Sequence, residues 1–334
     1  MQTISKDDFV FANKYQDISI DNTFAGESFF KEGVKKFLGK RTNIIGLAVL
    51  ILLTSLAFLV PLMSGQDYIT PFLERADMAP RIPGIVSGTE YLKGTGGSIR
   101  QNRYEELGLK DTYYFFGTDS MGRDLFVRTF AGLRVSLFIA FVSAVINFVI
   151  GMNYGMISGF MGGKVDLVMQ RIIDILGSIP TLVIVTLLML VLKPGIGSII
   201  IAMMLTGWMD MSMVARARVL KLKEMEFVLA SRTLGANSFY IITRDLLPNT
   251  LGTLITQIMV TVPNAIFLET FLSFVGLGMP LGSCSLGRII SDGFNNCLLH
   301  PYKLFPSVLI LTILMIACNI LADGLKEAFD PSVR

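Results

Sequence analysis

Three carboxylates could do chemistry where chemistry is least expected. Asp174, Asp210 and Glu269 each stand at or within a run of residues apolar enough to lie in a bilayer. A charge there is costly, and it normally faces protein or water. Two aspartates on facing helices could activate water for intramembrane proteolysis, and Asp174 and Asp210 are the nominal pair. Neither has a glycine-rich setting, and no His-Glu-x-x-His occurs. Arg171 stands three residues before Asp174, so these two can meet on one helix face as a structural ion pair. Glu269 either lines a pathway or bonds to a neighbouring helix. The single His300 and the three scattered cysteines supply no zinc or disulfide framework. No bond is expected between Cys284 and Cys297, and Cys318 reads as a small apolar residue. The chain has no Gly-x-x-x-x-Gly-Lys-Ser/Thr loop, so it is not expected to hydrolyse ATP or to bind a cofactor itself.

The elements that must position these residues are apolar. Of 334 residues, 52% are hydrophobic and only 16% are charged, and the mean hydropathy is +0.61. Those values indicate a membrane protein. The net charge of +3 is too small and too scattered for a nucleic-acid partner. A spanning helix needs about 20 mostly apolar residues. Six stretches meet or approach that length: Asn43–Met63, Val135–Met156, Ile175–Leu192, Gly197–Val214, Leu251–Phe274 and Phe305–Leu321. The third is expected to be extended at its start by the polar turns from Asp166. The fold class is therefore all-α, a polytopic membrane protein with six transmembrane helices. Met1–Lys40 is polar and lacks an early apolar run, so the first stretch reads as a retained helix.

Lysine and arginine placement sets the orientation. Lys31, Lys35, Lys36, Lys40 and Arg41 precede the first span and place the N-terminus in the cytoplasm. Alternation then puts Phe160–Lys164, Arg216–Pro248 and Gly324–Arg334 inside, and Ser64–Arg134, Lys193–Ile196 and Val275–Leu304 outside. Glu269 falls in the outer half of span five. Residues 1–42 read as a cytoplasmic arm ending in an interfacial helix, where Phe30, Val34, Phe37 and Leu38 recur among lysines. Residues 43–64 form the first span, and 65–130 form an external loop. Residues 131–323 form the core, with a cytoplasmic loop at 216–250, and 324–334 form a cytoplasmic tail. Gly151, Gly155 and Gly159 recur every four residues, a spacing that lets helix backbones approach within the chain.

The charged stretch Glu226–Asn249 interrupts the apolar runs. Glu226–Leu234 reads as a short helix stopped by Gly235. Asn237 or Ser238 can cap the next helix, and Pro248 sits where span five begins. Ala230, Ser231 and Gly235 are small, while Phe227, Leu229, Phe239 and Tyr240 are greasy. That combination suits a docking knob for a soluble subunit better than a solvated connection.

Here the residues resemble a known family. "LASRTLGANSFYIITRDLLPN" is similar to the EAA loop of ABC importer permeases, with Leu229-Ala230-Ser231 as the triplet, Gly235 in place and Leu247-Pro248 closing the motif. Leu229 departs from the usual glutamate, and Glu226 lies one turn earlier. "FGTDSMGRDLFVRTFAGLRVSL" resembles the signature ahead of span two in dipeptide, oligopeptide and nickel permeases, carried by Gly117, Thr118, Asp119, Gly122, Arg123 and Asp124. "GSIP", "LETFLSFVGLG", "SLGRIISDG" and "LADGLKEAFDP" also look like the C-type permease of that subfamily. The resemblance covers roughly residues 30–334.

The resemblance implies a type I ABC importer permease fold in a bacterial cytoplasmic membrane. It implies a second homologous permease, two ABC ATPases that use ATP and Mg, an extracytoplasmic peptide-binding protein, and oligopeptide or dipeptide as substrate, all amid membrane lipid. Glu226, Leu229, Ala230, Ser231, Gly235, Leu247 and Pro248 would couple to the ATPases. Asp119, Arg123 and Asp124 would brace the outer end of span two and help seat the binding protein. A nickel importer is the near alternative. An intramembrane protease or an autonomous channel is remote, since a channel needs no ATPase socket.

Overall fold

The structure is a computed structural model. It describes residues 29–65, 68–94, 97–109, 111–280 and 283–329. Most of the expected N-terminal arm, through residue 28, and residues 330–334 of the tail lie outside the described residues.

Helices dominate. An amphipathic α1 (Phe29–Leu38) leads into α2 (Arg41–Met63), which carries Pro61. The long α4 (Leu125–Met161), the pair α7 (Ile196–Thr206) and α8 (Trp208–Leu222), α11 (Leu247–Phe274) and α13 (Phe305–Phe329) are the other continuous crossings. The third crossing differs from expectation. It is broken into α5 (Gly163–Gly177) and α6 (Thr181–Val191), which meet at 76°. Pro180 lies at the break and has no N–H for a continuing helix. Counting the bent pair as one span gives six. Both described ends then lie on one side, here called the terminal face, where Lys40 pairs with Glu327 and Gly33 packs on the Phe329 ring.

The helices run beyond the apolar stretches that mark them in the sequence. The helix α4 begins at Leu125, ahead of residue 131, because Asp124 caps it. The helix α8 runs on to Leu222, and α13 runs past residue 323. The loop between α2 and α4 holds two hairpins, β1 (Arg81–Ile82) with β2 (Val86–Ser87) and β3 (Glu90–Gly94) with β4 (Gly97–Gln101), followed by the single turn α3 (Arg103–Glu106). Met78, Tyr104 and Tyr114 form a small core there. The Tyr104 hydroxyl donates to Ala79 O at 2.8 Å, and Arg81 lies 5.0 Å from the Tyr104 and Tyr113 rings. The short helix α12 (Leu286–Asn295) packs on α11, where a Cβ on Gly287 would lie 2.4 Å from Thr270 O.

The tightest helix contact joins α4 to α8. A Cβ on Gly151 would lie 2.5 Å from Trp208 O, one on Gly155 2.2 Å from Ser212 O, and one on Gly159 3.0 Å from Arg216 O. The four-residue repeat thus serves packing within the chain, as expected. Gly155→Ala forces backbone apart and should cost roughly 1–3 kcal/mol, the usual range for overpacking. Gly197→Ala enters open space. Thermal unfolding of the purified protein in detergent should show a lower midpoint for the first variant and no loss for the second.

Candidate functional site

The knob at the terminal face is built as its sequence suggests. The helix α9 (Glu226–Thr233) starts with Glu226, whose charge suits a helix N-terminus. It closes with paired backbone bonds, Ala236 N–H to Ser231 O and Gly235 N–H to Arg232 O, both 3.0 Å. That Schellman cap needs a left-handed residue, and Gly235 supplies φ of +82°. Asn237 then caps α10 (Ser238–Tyr240) by accepting the Tyr240 N–H at 2.8 Å. A wider turn follows over Ile241–Leu246, where the Leu247 N–H reaches back to Ile242 O. Pro248, exposed and without an N–H, lies in the first turn of α11.

One side of the knob is fastened and the other is free. Val228, Ile241 and Leu246 are buried against Met156, Val219 and Leu222 from the ends of α4 and α8, with Leu247 packed behind them. Arg232 lies 5.2 Å over the Phe160 ring. Beneath it, Arg216 of α8 grips Asp166 of α5 through two bonds of 2.6 Å. The outer side carries exposed Phe227, Leu229, Leu234, Phe239 and Tyr240, with Leu234 at 88% and Phe239 at 76% exposure. Glu226 and Ala230 are exposed beside them, and Ser231 is half-buried. Nothing lies within 4 Å of a Cβ built on Gly235. Together these side chains form an exposed apolar patch at the terminal face.

The signature ahead of α4 lies at the opposite face, and its charged side chains are inside the protein. Asp119 Oδ1 accepts the Met121 and Arg123 N–H groups, each at 2.9 Å. Its Oδ2 receives Arg123 at 2.7 Å and Arg128 at 3.3 Å. Arg128 also donates to Tyr68 O and Ser283 O, tying three loops to one helix end. The Thr118 N–H donates to Met78 O, and Gly117 and Gly122 adopt φ of +77° and +75° against neighbouring backbone. Asp119, Arg123 and Asp124 are each at most 5% exposed. Their side chains are turned inward around the start of α4, with Asp124 as its N-cap. Arg128 has no local sequence signal, since its carboxylate partner Asp119 stands nine residues earlier, ahead of the helix.

The remaining acids separate. Glu269 is wholly buried and accepts from Ser136 at 2.7 Å and from Ser273 at 2.9 Å. This is the neighbouring-helix arrangement, since Ser136 belongs to α4. Arg171 and Asp174 pair at 3.7 Å but are largely exposed. Asp210 lines a groove of about 150 Å³ together with Asn147, Gln257 and Asn264, and Asp174 is not part of it. Cys284 and Cys297 are free, with the Cys284 thiol donating to Arg128 O. The His300 ring packs edge-on to Tyr302.

Asp124 accepts the Phe126 and Val127 N–H groups. Burial outweighs these bonds and pushes its carboxyl from 3.8 up to about 6. A raised acid favours folding below its unfolded value and loses that contribution as pH rises through about 6. Asp124→Asn keeps an acceptor for the cap without the buried charge. It should be more stable than wild type at pH 7 by roughly 1–3 kcal/mol, read as a higher unfolding midpoint. That margin should shrink toward pH 4. A margin independent of pH would show that the buried charge is not the cause.

Residues 151–334 match the family described as "Binding-protein-dependent transport system inner membrane component". Residues 28–80 match "N-terminal TM domain of oligopeptide transport permease C". The oligopeptide transport system permease protein OppC of Bacillus subtilis (strain 168) is 39% identical over 307 residues, covering 92% of this chain and 91% of its own. The dipeptide transport system permease protein DppC of Lactococcus lactis subsp. cremoris (strain MG1363) is 39% identical over 343 residues, covering 99% and 98%. A chain in a solved structure titled as inward-facing conformations of the MetNI methionine ABC transporter superposes with a TM-score of 0.50 at 21% identity, over 59% of this chain and 94% of that one, which shows a shared fold. With two family matches that together span most of the sequence, and relatives aligned along nearly all of it, this chain belongs to the binding-protein-dependent transport system inner membrane components.

Proposed function

We propose that this chain is a permease subunit of an ATP-driven importer for oligopeptides or dipeptides in a bacterial cytoplasmic membrane, with the terminal face in the cytoplasm. The observation that carries the coupling part is the knob: an exposed apolar surface fastened by a buried cluster to the ends of α4 and α8. The peptide substrate is supported by the relatives, whose names specify oligopeptide or dipeptide transport. Nickel import is not favoured beside them.

In this reading a second homologous permease completes the path, and two ABC ATPases bind at the cytoplasmic face. An extracytoplasmic peptide-binding protein delivers the substrate, and lipid surrounds the remaining apolar faces. ATP and Mg belong to the ATPases, and this chain binds no cofactor. The coupling surface comprises Glu226, Leu229, Ala230, Ser231 and Gly235, and Leu247 and Pro248 join it to α11. The domain plan follows: residues 1–42 an arm with an interfacial helix, 43–64 the first span, 65–130 an external cap, 131–323 the core with its coupling loop at 216–250, and 324–334 a tail. When the ATPases close, they push on α9. Val228 and its neighbours pass that displacement to α4 and α8 as a rigid-body shift.

Two experiments test this reading. In a background without the native cysteines, Ser87→Cys should react with an impermeant thiol reagent in intact cells. Ser238→Cys should react only after permeabilisation. Both side chains are exposed, so a reversed pattern would overturn the orientation. Gly235→Arg places a bulky charge at the proposed contact and strains a left-handed position. It should insert normally, yet lose most peptide uptake, with an interface cost of several kcal/mol. Subunit recovery, uptake and binding-protein-stimulated ATPase activity in proteoliposomes are the measurements. Wild-type values for all three would remove the coupling role.

A further inference from the structure

The groove that holds Asp210 has no part in the knob, the external brace or the Glu269 network. It lies among α4, α6, α7, α8 and α11, and its polar lining includes Asn147, Thr181, Thr206, Asp210, Gln257 and Asn264. These residues stand well inside their crossings. Asp210 is near the middle of the Ile196–Leu222 span, and Asn264 is well inside Ser238–Phe274.

Two observations at the groove call for a ligand. Asp210 is exposed, and among the described residues it makes no side-chain hydrogen bond or ion pair. A carboxylate at that depth does not face lipid, so it faces water or a cation. Independently, Asn147 is only 3% exposed, and its Oδ1 accepts no hydrogen bond. A buried acceptor without a donor is destabilising unless something fills the place. Asp210 and Asn147 Oδ1 are both acceptors. The lining contains no lysine or arginine. An ammonium group offers three donors and a positive charge, and it matches this set. A carboxylate does not.

We infer that the groove receives the positively charged amino end of a peptide in transit, with Asp210 as its ion partner and Asn147 Oδ1 as a hydrogen-bond acceptor. This rests on the peptide-import reading and adds a recognition element to it. Every unblocked peptide carries an amino end, so the site selects orientation and terminus without reading side chains. The thin alternative is that Asp210 only complements the start of α8.

The test uses the assembled importer in proteoliposomes with Asn264→Cys, an exposed position on the groove, in a background where Cys284, Cys297 and Cys318 are serine. The rate of thiol labelling on this chain is measured against rising concentrations of tri-alanine or N-acetyl-tri-alanine. Tri-alanine should protect the cysteine at concentrations about tenfold lower than the acetylated peptide, as expected for one ion-assisted contact. Asp210→Asn should erase the difference, and Asp210→Glu should retain it. The comparison of the two peptides on the Asp210 protein decides the matter even if Asp210→Asn fails to assemble. Equal protection, or no protection, overturns the assignment. Uptake of labelled tri-alanine by the wild-type importer is measured alongside. Transport with equal or absent protection leaves peptide import standing and removes only the groove. No uptake of any peptide removes both.

Discussion

The near-contact of α4 with α8 is the constraint on which the rest depends. Gly151, Gly155 and Gly159 give up side chains so that the backbones of Trp208, Ser212 and Arg216 can come close. Within lipid there is little hydrophobic drive between helices, and close packing replaces it. Once those two helices are fixed together, their ends on the terminal face form one platform. Met156, Val219 and Leu222 on that platform bury the inner side of α9. Asp166 and Arg216 then pin α5 to the same platform. The knob is therefore an extension of a helix pair, although it is formed by a loop in the sequence.

The opposite end of α4 is held by different physics. There a buried carboxylate, Asp119, collects two guanidinium groups and two backbone N–H groups. The arrangement is expensive to desolvate and strong only when complete. Arg128 completes it by reaching carbonyls of Tyr68 and Ser283, which belong to segments far apart in the chain. Packing governs one end of α4 and ionic closure governs the other. The difference follows from position, since the loop end lies beyond the apolar core of the span.

Much of this was legible in the sequence because the signals are local. Six apolar runs, the stop at Gly235, the cap at Asn237 and the repeat of Gly151, Gly155 and Gly159 each depend on a few adjacent residues. What escaped was non-local or geometric. The 76° bend of the third crossing depends on Gly177 to Pro180 acting against the pull of a continuous apolar run. The burial of Asp119 and Arg123 could not be read from residues that look like a polar loop, because what covers them comes from 40 or more residues away, as with Met78 and Thr118. Glu269 left two readings open because its partner Ser136 lies 133 positions away. The Asp210 groove draws on several helices, and no stretch of sequence displays it.

The length of α4 has a mechanical meaning. Its 37 residues make a rod of about 55 Å, longer than the roughly 40–45 Å of a bilayer with its headgroups. Its interior contains no proline, whereas α2 carries Pro61 and α11 carries Pro263 in mid-helix. One unbroken lever thus joins the loop cap on one surface to the knob platform on the other. A tilt of about 5° about one end sweeps the far end by about 5 Å over that length. A small tilt applied at one surface would therefore carry a displacement of the order of a helical turn to the other, without any intermediate joint.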